Sequence, residues 1–250
     1  MSGTNPMSSF VVKDLIKIKV FGFDLSFTNS SLFMVISLVI ICYTLHIWTK
    51  YASIVPNRYN LFVEKLFFFI GAILKPDLGS KSILFFPYVL ALFLFIFVGN
   101  LIGLIPYSFC FTSQIAVTFG MAIAIFVTSI FVGLYMHGFM YFKRFVPVGV
   151  PVAIAPVLVI VEVVSFMFRP ISMGVRLFAN MISGHIMLDI VAGFAVSFAC
   201  GNVFFRPFIL FPIIINIALI LMKFLVCYIQ AYIFTMLCSV YIGEAIKDGH

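Results

Sequence analysis

The sequence predicts an all-α polytopic membrane protein with about five to six membrane helices, the last two long and strongly tilted. Of its 250 residues, 64% are hydrophobic and 9% are charged, whereas soluble domains carry about 25% charged residues. No Asp, Glu, Lys or Arg occurs between Lys81 and Lys143, enough for two crossings at roughly 20 residues each. The apolar runs do not alternate in polarity, which excludes barrel strands and leaves helices.

The chain is predicted to consist of a polar N-terminal segment, 1–30, and a single integral membrane domain, 31–250. The stretch 56–81 carries charges around the apolar patch 66–70 and predicts a helix lying along the membrane surface. A turn is expected from Pro106 to Ser113. The apolar runs predict five spans, at 32–48, 83–105, 115–142, 150–199 and 207–241.

The last two apolar runs are longer than one straight crossing requires. At 1.5 Å per residue, a helix of about 50 residues reaches about 75 Å, against roughly 30 Å of hydrocarbon. Such helices must be oblique, bent or broken. Pro156 and Pro170 are the expected bending points, because proline removes a backbone donor and crowds the preceding turn.

Basic residues in the loops predict the orientation. Seven Lys and Arg lie in 49–82 and 143–149, against four on the other side, Lys13, Lys17, Lys19 and Arg206. The N-terminus is therefore expected outside and the C-terminus towards the matrix or cytoplasm. The Lys and Arg form no dense cluster, so nucleic acid is not an expected partner. The five Cys form no CxxC pair, and neither a metal nor a cofactor is expected.

Polar residues recur every seven positions in both long runs. Because seven residues turn a helix by about 700°, each series lies along one face. Charges at membrane depth are costly and mark functional sites, so two such faces suggest ion movement. The alternative, that these groups only join helices, is kept open for Asn216 and Ser183. The first series is Glu162, Arg169, Arg176 and Ser183, and the second is Asn216, Lys223 and Gln230.

Three segments resemble the ATP synthase subunit a family. They are RPISMGVRLFANMISGH at 169–185, which contains an RLxxN core, NLIGLIPY at 100–107 and QAYIF at 230–234. They occur in the order typical of the family. Within and beside the second segment, Gly99 and Gly103 form a GxxxG pair that permits close helix approach.

The resemblance implies a stator subunit of a rotary ATP synthase that conducts H⁺ and is not itself an enzyme. Arg176 would face the ring of c subunits, whose carboxyl groups take up and release protons. A guanidinium stays charged, with a pKa above about 12, and so attracts a carboxylate without relaying protons. The implied partners are the c-ring, the peripheral stalk subunit b, other Fo subunits and membrane lipids.

The resemblance also implies two half-channels. The candidates for the proton path are Glu162, Ser183, His185, Asp189, Asn216, Lys223 and Gln230, with Asn180, Asn100, Gly99 and Gly103 as supporting residues. His185, with an unperturbed pKa of about 6.5, suits proton relay. Relatives commonly have an acidic residue or His at position 223 and often a basic residue at 189. We therefore expect Asp189 and Lys223 to form a cross-helix pair.

Three other classes remain as alternatives. A haem- or quinone-binding respiratory subunit would carry paired His on facing helices, an intramembrane enzyme would show HExxH or GxSxG, and a secondary transporter would show two related halves. None of these patterns occurs, and neither does a GxxxxGK[ST] phosphate loop. His185 and the 33 Phe favour the mitochondrial inner membrane as the location, with a bacterial inner membrane as the alternative.

Overall fold

The structure is a computed structural model that describes residues 12–17, 19–20, 23–24, 26–50, 58–105, 108–145, 154–200 and 209–247. It confirms the predicted fold class. Pro106, Tyr107, Arg206 and the first residues of the last two predicted spans lie outside these ranges. The helices are α1 (Asn29–Lys50), α2 (Arg58–Leu78), α3 (Ser82–Leu104), α4 (Ile115–His137), α5 (Ala155–Cys200) and α6 (Leu210–Lys247).

Five helical stretches within the described residues are long and apolar enough to cross a membrane. One of them, Asn60–Leu104, joins most of α2 to α3 through a short 3₁₀ turn at Gly79–Lys81. The others are Asn29–Lys50, Ile115–Tyr141, Pro156–Cys200 and Leu210–Ile246.

Four short strands precede the first helix and were not expected from the sequence. They are β1 (Asp14–Ile16), β2 (Lys19–Val20), β3 (Phe23–Asp24) and β4 (Phe27–Thr28). Strand β1 pairs with β4 and β2 with β3, both antiparallel. Thr28 then caps α1, because its Oγ1 accepts a hydrogen bond of 3.4 Å from the backbone N–H of Ser31.

Helices α5 and α6 contain 46 and 38 residues, or about 69 and 57 Å at 1.5 Å per residue. Both therefore exceed the roughly 30 Å of hydrocarbon that a perpendicular helix would cross. Pro170 lies inside α5, and the helix continues through it. Pro156 is not a bending point, because it is the second residue of α5, where a missing N–H breaks no helical hydrogen bond.

The chain divides into two compact units. The first unit comprises Met1–Thr44, Phe95–Gln114 and Leu177–Ala231, and the second comprises Leu45–Leu94, Ile115–Arg176 and Tyr232–His250. Helices α5 and α6 each contribute one part to each unit.

In the second unit, α2 has a buried stripe of Ile70, Leu74 and Leu78, spaced as one helix face requires. Phe69, on the same helix, meets the ring of Phe93 edge-on at 5.9 Å. Ser239 of α6 donates a hydrogen bond of 3.0 Å to the carboxylate of Asp77. These contacts pack α2 against α3 and α6, so the helix predicted at the surface also has a buried face within the protein.

Helix α4 ends in a tight reversal. Gly138 has a φ of +57°, a left-handed conformation that glycine adopts without steric cost. The following 3₁₀ segment, Gly138–Phe145, returns over the helix and places Tyr141 against Gly133. A Cβ at Gly133 would lie 2.3 Å from Tyr141 Cε2, so this packing requires glycine.

Candidate functional site

The first unit places the end of α3, the second part of α5 and the first part of α6 around buried polar side chains. Asn100, Lys223 and Gln230 are 0%, 6% and 3% exposed. The three residues come from sequence positions far apart, and each was expected at the site. Because these side chains are buried in a largely apolar region, each of their polar atoms needs a hydrogen-bond partner or costs free energy.

Gly99 and Gly103 permit the close approach predicted from their spacing. A Cβ at Gly99 would lie 2.3 Å from Phe111 Cζ, and one at Gly103 would lie 2.6 Å from Cys110 Sγ. The group that approaches is the connection before α4, which contains the 3₁₀ turn Phe111–Ser113. Sequence spacing alone suggested a neighbouring helix, which is the usual partner of a GxxxG pair.

The Cys110 thiol does not provide a negative charge to this region. Burial raises the pKa of the Cys110 thiol above its ordinary value, while a contact with Thr112 Oγ1 at 3.1 Å acts in the opposite direction. A buried neutral thiol behaves as a small apolar group. Cys110 therefore contributes packing around Gly103.

Asn180 of α5 and Gln230 of α6 form a direct hydrogen bond. Asn180 Nδ2 donates to Gln230 Oε1 at 2.9 Å. The resemblance implied Gln230 in the proton path and Asn180 as a supporting residue, and the hydrogen bond between them was not predicted. The bond fixes the facing sides of the two helices within the first unit.

The ammonium group of Lys223 is buried. The stem of Lys223 packs on Gly184, where a Cβ would lie 3.1 Å from Lys223 Cε. Its Nζ has no hydrogen-bond partner among the described residues. A cleft of about 110 Å³ adjoins it, lined by Asn180, Ser183, Gly184, Met187, Leu219, Met222, Lys223 and Val226.

Several other polar atoms of the first unit are buried without a hydrogen-bond partner in the part of the chain that is described. They include both side-chain polar atoms of Asn100 and Oδ1 of Asn216. A buried polar atom left unpaired costs about 1–3 kcal/mol, and native proteins usually satisfy such atoms with ordered water. The arrangement is therefore suited to holding water between the helices.

The predicted ion pair between Asp189 and Lys223 is not formed. Asp189 is exposed on α5, whereas the Lys223 amine is buried without a hydrogen-bond partner among the described residues. The lysine stem follows the surface of Gly184, one turn before Asp189, and this packing keeps the amine inside. His185, beside Gly184, is half-buried, and Ser183 is exposed.

In the second unit, Arg169 forms an ion pair with Glu244. The guanidinium carbon also lies 5.4 Å from the ring centre of Tyr241 and 5.9 Å from that of Phe166. Sequence reasoning missed Glu244. The signal was present, because Glu244 continues the spacing of Lys223 and Gln230 two heptads further along α6.

Arg176 and Glu162 also belong to the second unit. Arg176 is exposed and Glu162 is half-buried. Arg176 lies two turns after Arg169 on the same face of α5, and no hydrogen bond or ion pair joins it to another described residue. Within the described ranges, no three His, Cys, Asp or Glu are grouped so as to hold a metal ion.

These features define a helical membrane protein with charged and unpaired polar groups on two over-long helices. The chain belongs to the ATP synthase A chain family, whose sequence pattern matches residues 31–243. It is also similar to proteins named ATP synthase subunit a from Brucella ovis, Brucella canis and Brucella suis. Each is 42% identical over 246 residues, covering 98% of this chain and 99% of the relative.

Proposed function

We propose that this chain is the stator subunit that carries protons through the membrane sector of an F-type ATP synthase. It forms two half-channels that load and unload carboxyl groups on a rotating ring of c subunits. The observation that carries the proposal is Arg176. Its guanidinium is exposed on a membrane helix, in the RLxxN segment, without an ion-pair partner among the described residues.

An exposed guanidinium at membrane depth suits a partner with a negative charge. A charge at membrane depth without such a partner costs several kcal/mol. A carboxylate arriving from a neighbouring subunit would therefore be attracted to Arg176. The attraction favours the ionised carboxylate and so promotes release of its proton. Because the guanidinium keeps its own proton, it also blocks direct passage between the two half-channels.

One half-channel lies in the first unit, around the residues with unpaired polar atoms. Lys223 and Asn216 offer buried polar atoms that water would satisfy, and the half-buried imidazole of His185 is the proton-exchanging group beside them. Ser183, Asp189 and Gln230 extend this path along α5 and α6. The other half-channel passes Glu162, two heptads before Arg176 on α5.

The subunit converts a proton gradient into rotation and performs no nucleotide chemistry. Each proton crossing releases about 2.3 kcal/mol per 100 mV. The partners are the c-ring, peripheral stalk subunit b, other Fo subunits and membrane lipids. Residues 31–250 form one membrane domain, with the N-terminus outside and the C-terminus inside. The named relatives are bacterial, which favours a bacterial inner membrane over the mitochondrial location expected from the sequence.

The test is Arg176→Ala in the assembled complex, reconstituted in vesicles. ATP-driven proton pumping should fall by about 100-fold or more, because a barrier change of about 2.7 kcal/mol already gives that factor. Passive proton leak should rise at the same time. Val175→Ala, at the neighbouring exposed position on α5, is the matched control. Pumping at the control level in Arg176→Ala would refute the proposal.

A further inference from the structure

The two arginines of α5 in the second unit differ in their surroundings. Arg169 and Arg176 are seven residues apart, so they lie about 10.5 Å apart along the axis on nearly the same face. Arg169 is paired with Glu244, whereas Arg176 has no ion-pair partner among the described residues. A passing carboxylate would therefore meet two guanidinium groups, of which only one is neutralised.

The environment of Arg169 holds its guanidinium in place. The rings of Tyr241 and Phe166 lie within 6 Å, the range in which an aromatic face attracts a cation. The side chains of Arg169 and Glu244 are 26% and 34% exposed, so the pair remains at the protein surface. Without the Glu244 carboxylate, a fixed and partly exposed positive charge would stay there.

We infer that Glu244 is a positioning residue that neutralises Arg169 and leaves Arg176 as the one guanidinium of this helix face available to a rotor carboxylate. The inference rests on the proposed function. Two unit charges about 10 Å apart interact by about 1.6 kcal/mol at an effective dielectric of 20. A carboxylate at Arg176 would therefore still be attracted to an unneutralised Arg169. That second guanidinium would compete with Arg176 for the carboxylate and slow the carboxylate's release.

The test compares Glu244→Gln, Arg169→Gln and the double variant Arg169→Gln/Glu244→Gln in the reconstituted complex. Glu244→Gln should lower ATP-driven pumping by about 5- to 10-fold, because it frees the Arg169 charge. The double variant should recover to within about twofold of wild type, because no extra positive charge remains. Arg169→Gln alone should be milder than Glu244→Gln.

A structural bridge between α5 and α6 would give a different order. Both single variants and the double variant would then lose activity to a similar degree, since each removes the bridge. That result, or wild-type pumping in Glu244→Gln, would overturn the inference. Arg176→Ala in the same preparation separates the two claims, because its loss of pumping supports the proposed function whichever way Glu244→Gln behaves.

Discussion

In the second unit, the guanidinium of Arg169 has the Glu244 carboxylate and two aromatic rings against it. In the first unit, the ammonium of Lys223 is buried with no hydrogen-bond partner among the described residues. Both cations belong to the seven-residue series of the long helices. The cation at one position of these series is paired with a carboxylate, and the cation at the other position is left without a hydrogen-bond partner among the described residues.

The difference separates structural polar contacts from functional ones. A satisfied pair contributes to the packing of its own unit, whereas unpaired groups lower stability unless water or a partner reaches them. Proteins retain such groups where function requires them. The comparison therefore predicts that substitutions of hydrogen-bonded packing groups such as Ser239 mainly affect stability, and that substitutions of the unpaired groups of the first unit mainly affect proton flow.

Among the variants that test this comparison, the largest effect is expected for Lys223→Met, which removes the buried amine and keeps an unbranched side chain. Proton pumping should fall by about 10- to 100-fold, in the lower range of what one proton-transfer group contributes. Thermal stability should be unchanged or slightly higher, because an unpaired buried charge is removed. Vesicle pumping and thermal unfolding in detergent measure the two quantities.

Met222→Leu is the matched control for Lys223→Met, because Met222 lines the same cleft and the substitution conserves volume. It should leave both measurements near wild type. If Lys223→Met pumped normally and unfolded at a much lower temperature, the amine would be a structural group and the comparison would be wrong.

The next largest effect is a loss of stability on replacing glycine by alanine, and it is expected to differ between Gly243 and Gly184. At Gly243, a Cβ would lie 2.8 Å from Asp77 Cβ and 3.1 Å from its backbone oxygen, whereas at Gly184 the nearest atom is Lys223 Cε at 3.1 Å. Gly243→Ala should therefore cost about 1–3 kcal/mol, because backbone must shift. Gly184→Ala should cost less, because a flexible lysine stem can move.

Thermal unfolding of both glycine variants provides the measurement, at about 2–4 °C per kcal/mol for a protein of this size. Gly71→Ala is a suitable control, since nothing lies within 4 Å of a Cβ at that position. Equal losses at Gly243 and Gly184 would mean that the first unit is packed as rigidly as the second.

The smallest effect is expected from two serines. Ser239 donates a hydrogen bond to the Asp77 carboxylate at 3.0 Å. Within the described ranges, Ser183 bonds only to the backbone oxygen of Asn180, in the same helix, at 3.3 Å. Ser239→Ala should cost about 1 kcal/mol, and Ser183→Ala a few tenths at most. Unfolding midpoints of the two variants, measured side by side, should preserve this order, and the reverse order would contradict the comparison.

The sequence predicted the helices better than the contacts between them. Apolar runs and the absence of charge between Lys81 and Lys143 located the membrane helices, because lipid imposes helix formation on any long apolar segment. Helix ends were less accurate. Helix α6 continues to Lys247, beyond the predicted end at 241, since its last turns include Glu244 and its ion pair.

The partners of the polar residues were only partly predictable. The Asn180–Gln230 bond was not predicted. The Asp189–Lys223 pair was wrong, because charge and spacing do not reveal that the lysine stem packs on Gly184. The partner of Gly99 was missed for a similar reason. A GxxxG spacing predicts that another part of the chain approaches closely. It does not reveal that the approaching group is Phe111, in the connection before α4.

The central claim is that the unpaired polar groups of the first unit lie along a water-filled path, whereas Ser239 of the second unit is packed against Asp77 and closed to water. It is tested by replacing the five native cysteines and introducing Ser183→Cys or Ser239→Cys, one at a time. A water-soluble thiol reagent should modify position 183 at least about 10-fold faster than position 239, because only an accessible, hydrated thiol ionises and reacts. Modification at 183 should also inhibit pumping. Equal rates at the two positions, or faster reaction at 239, would contradict the account.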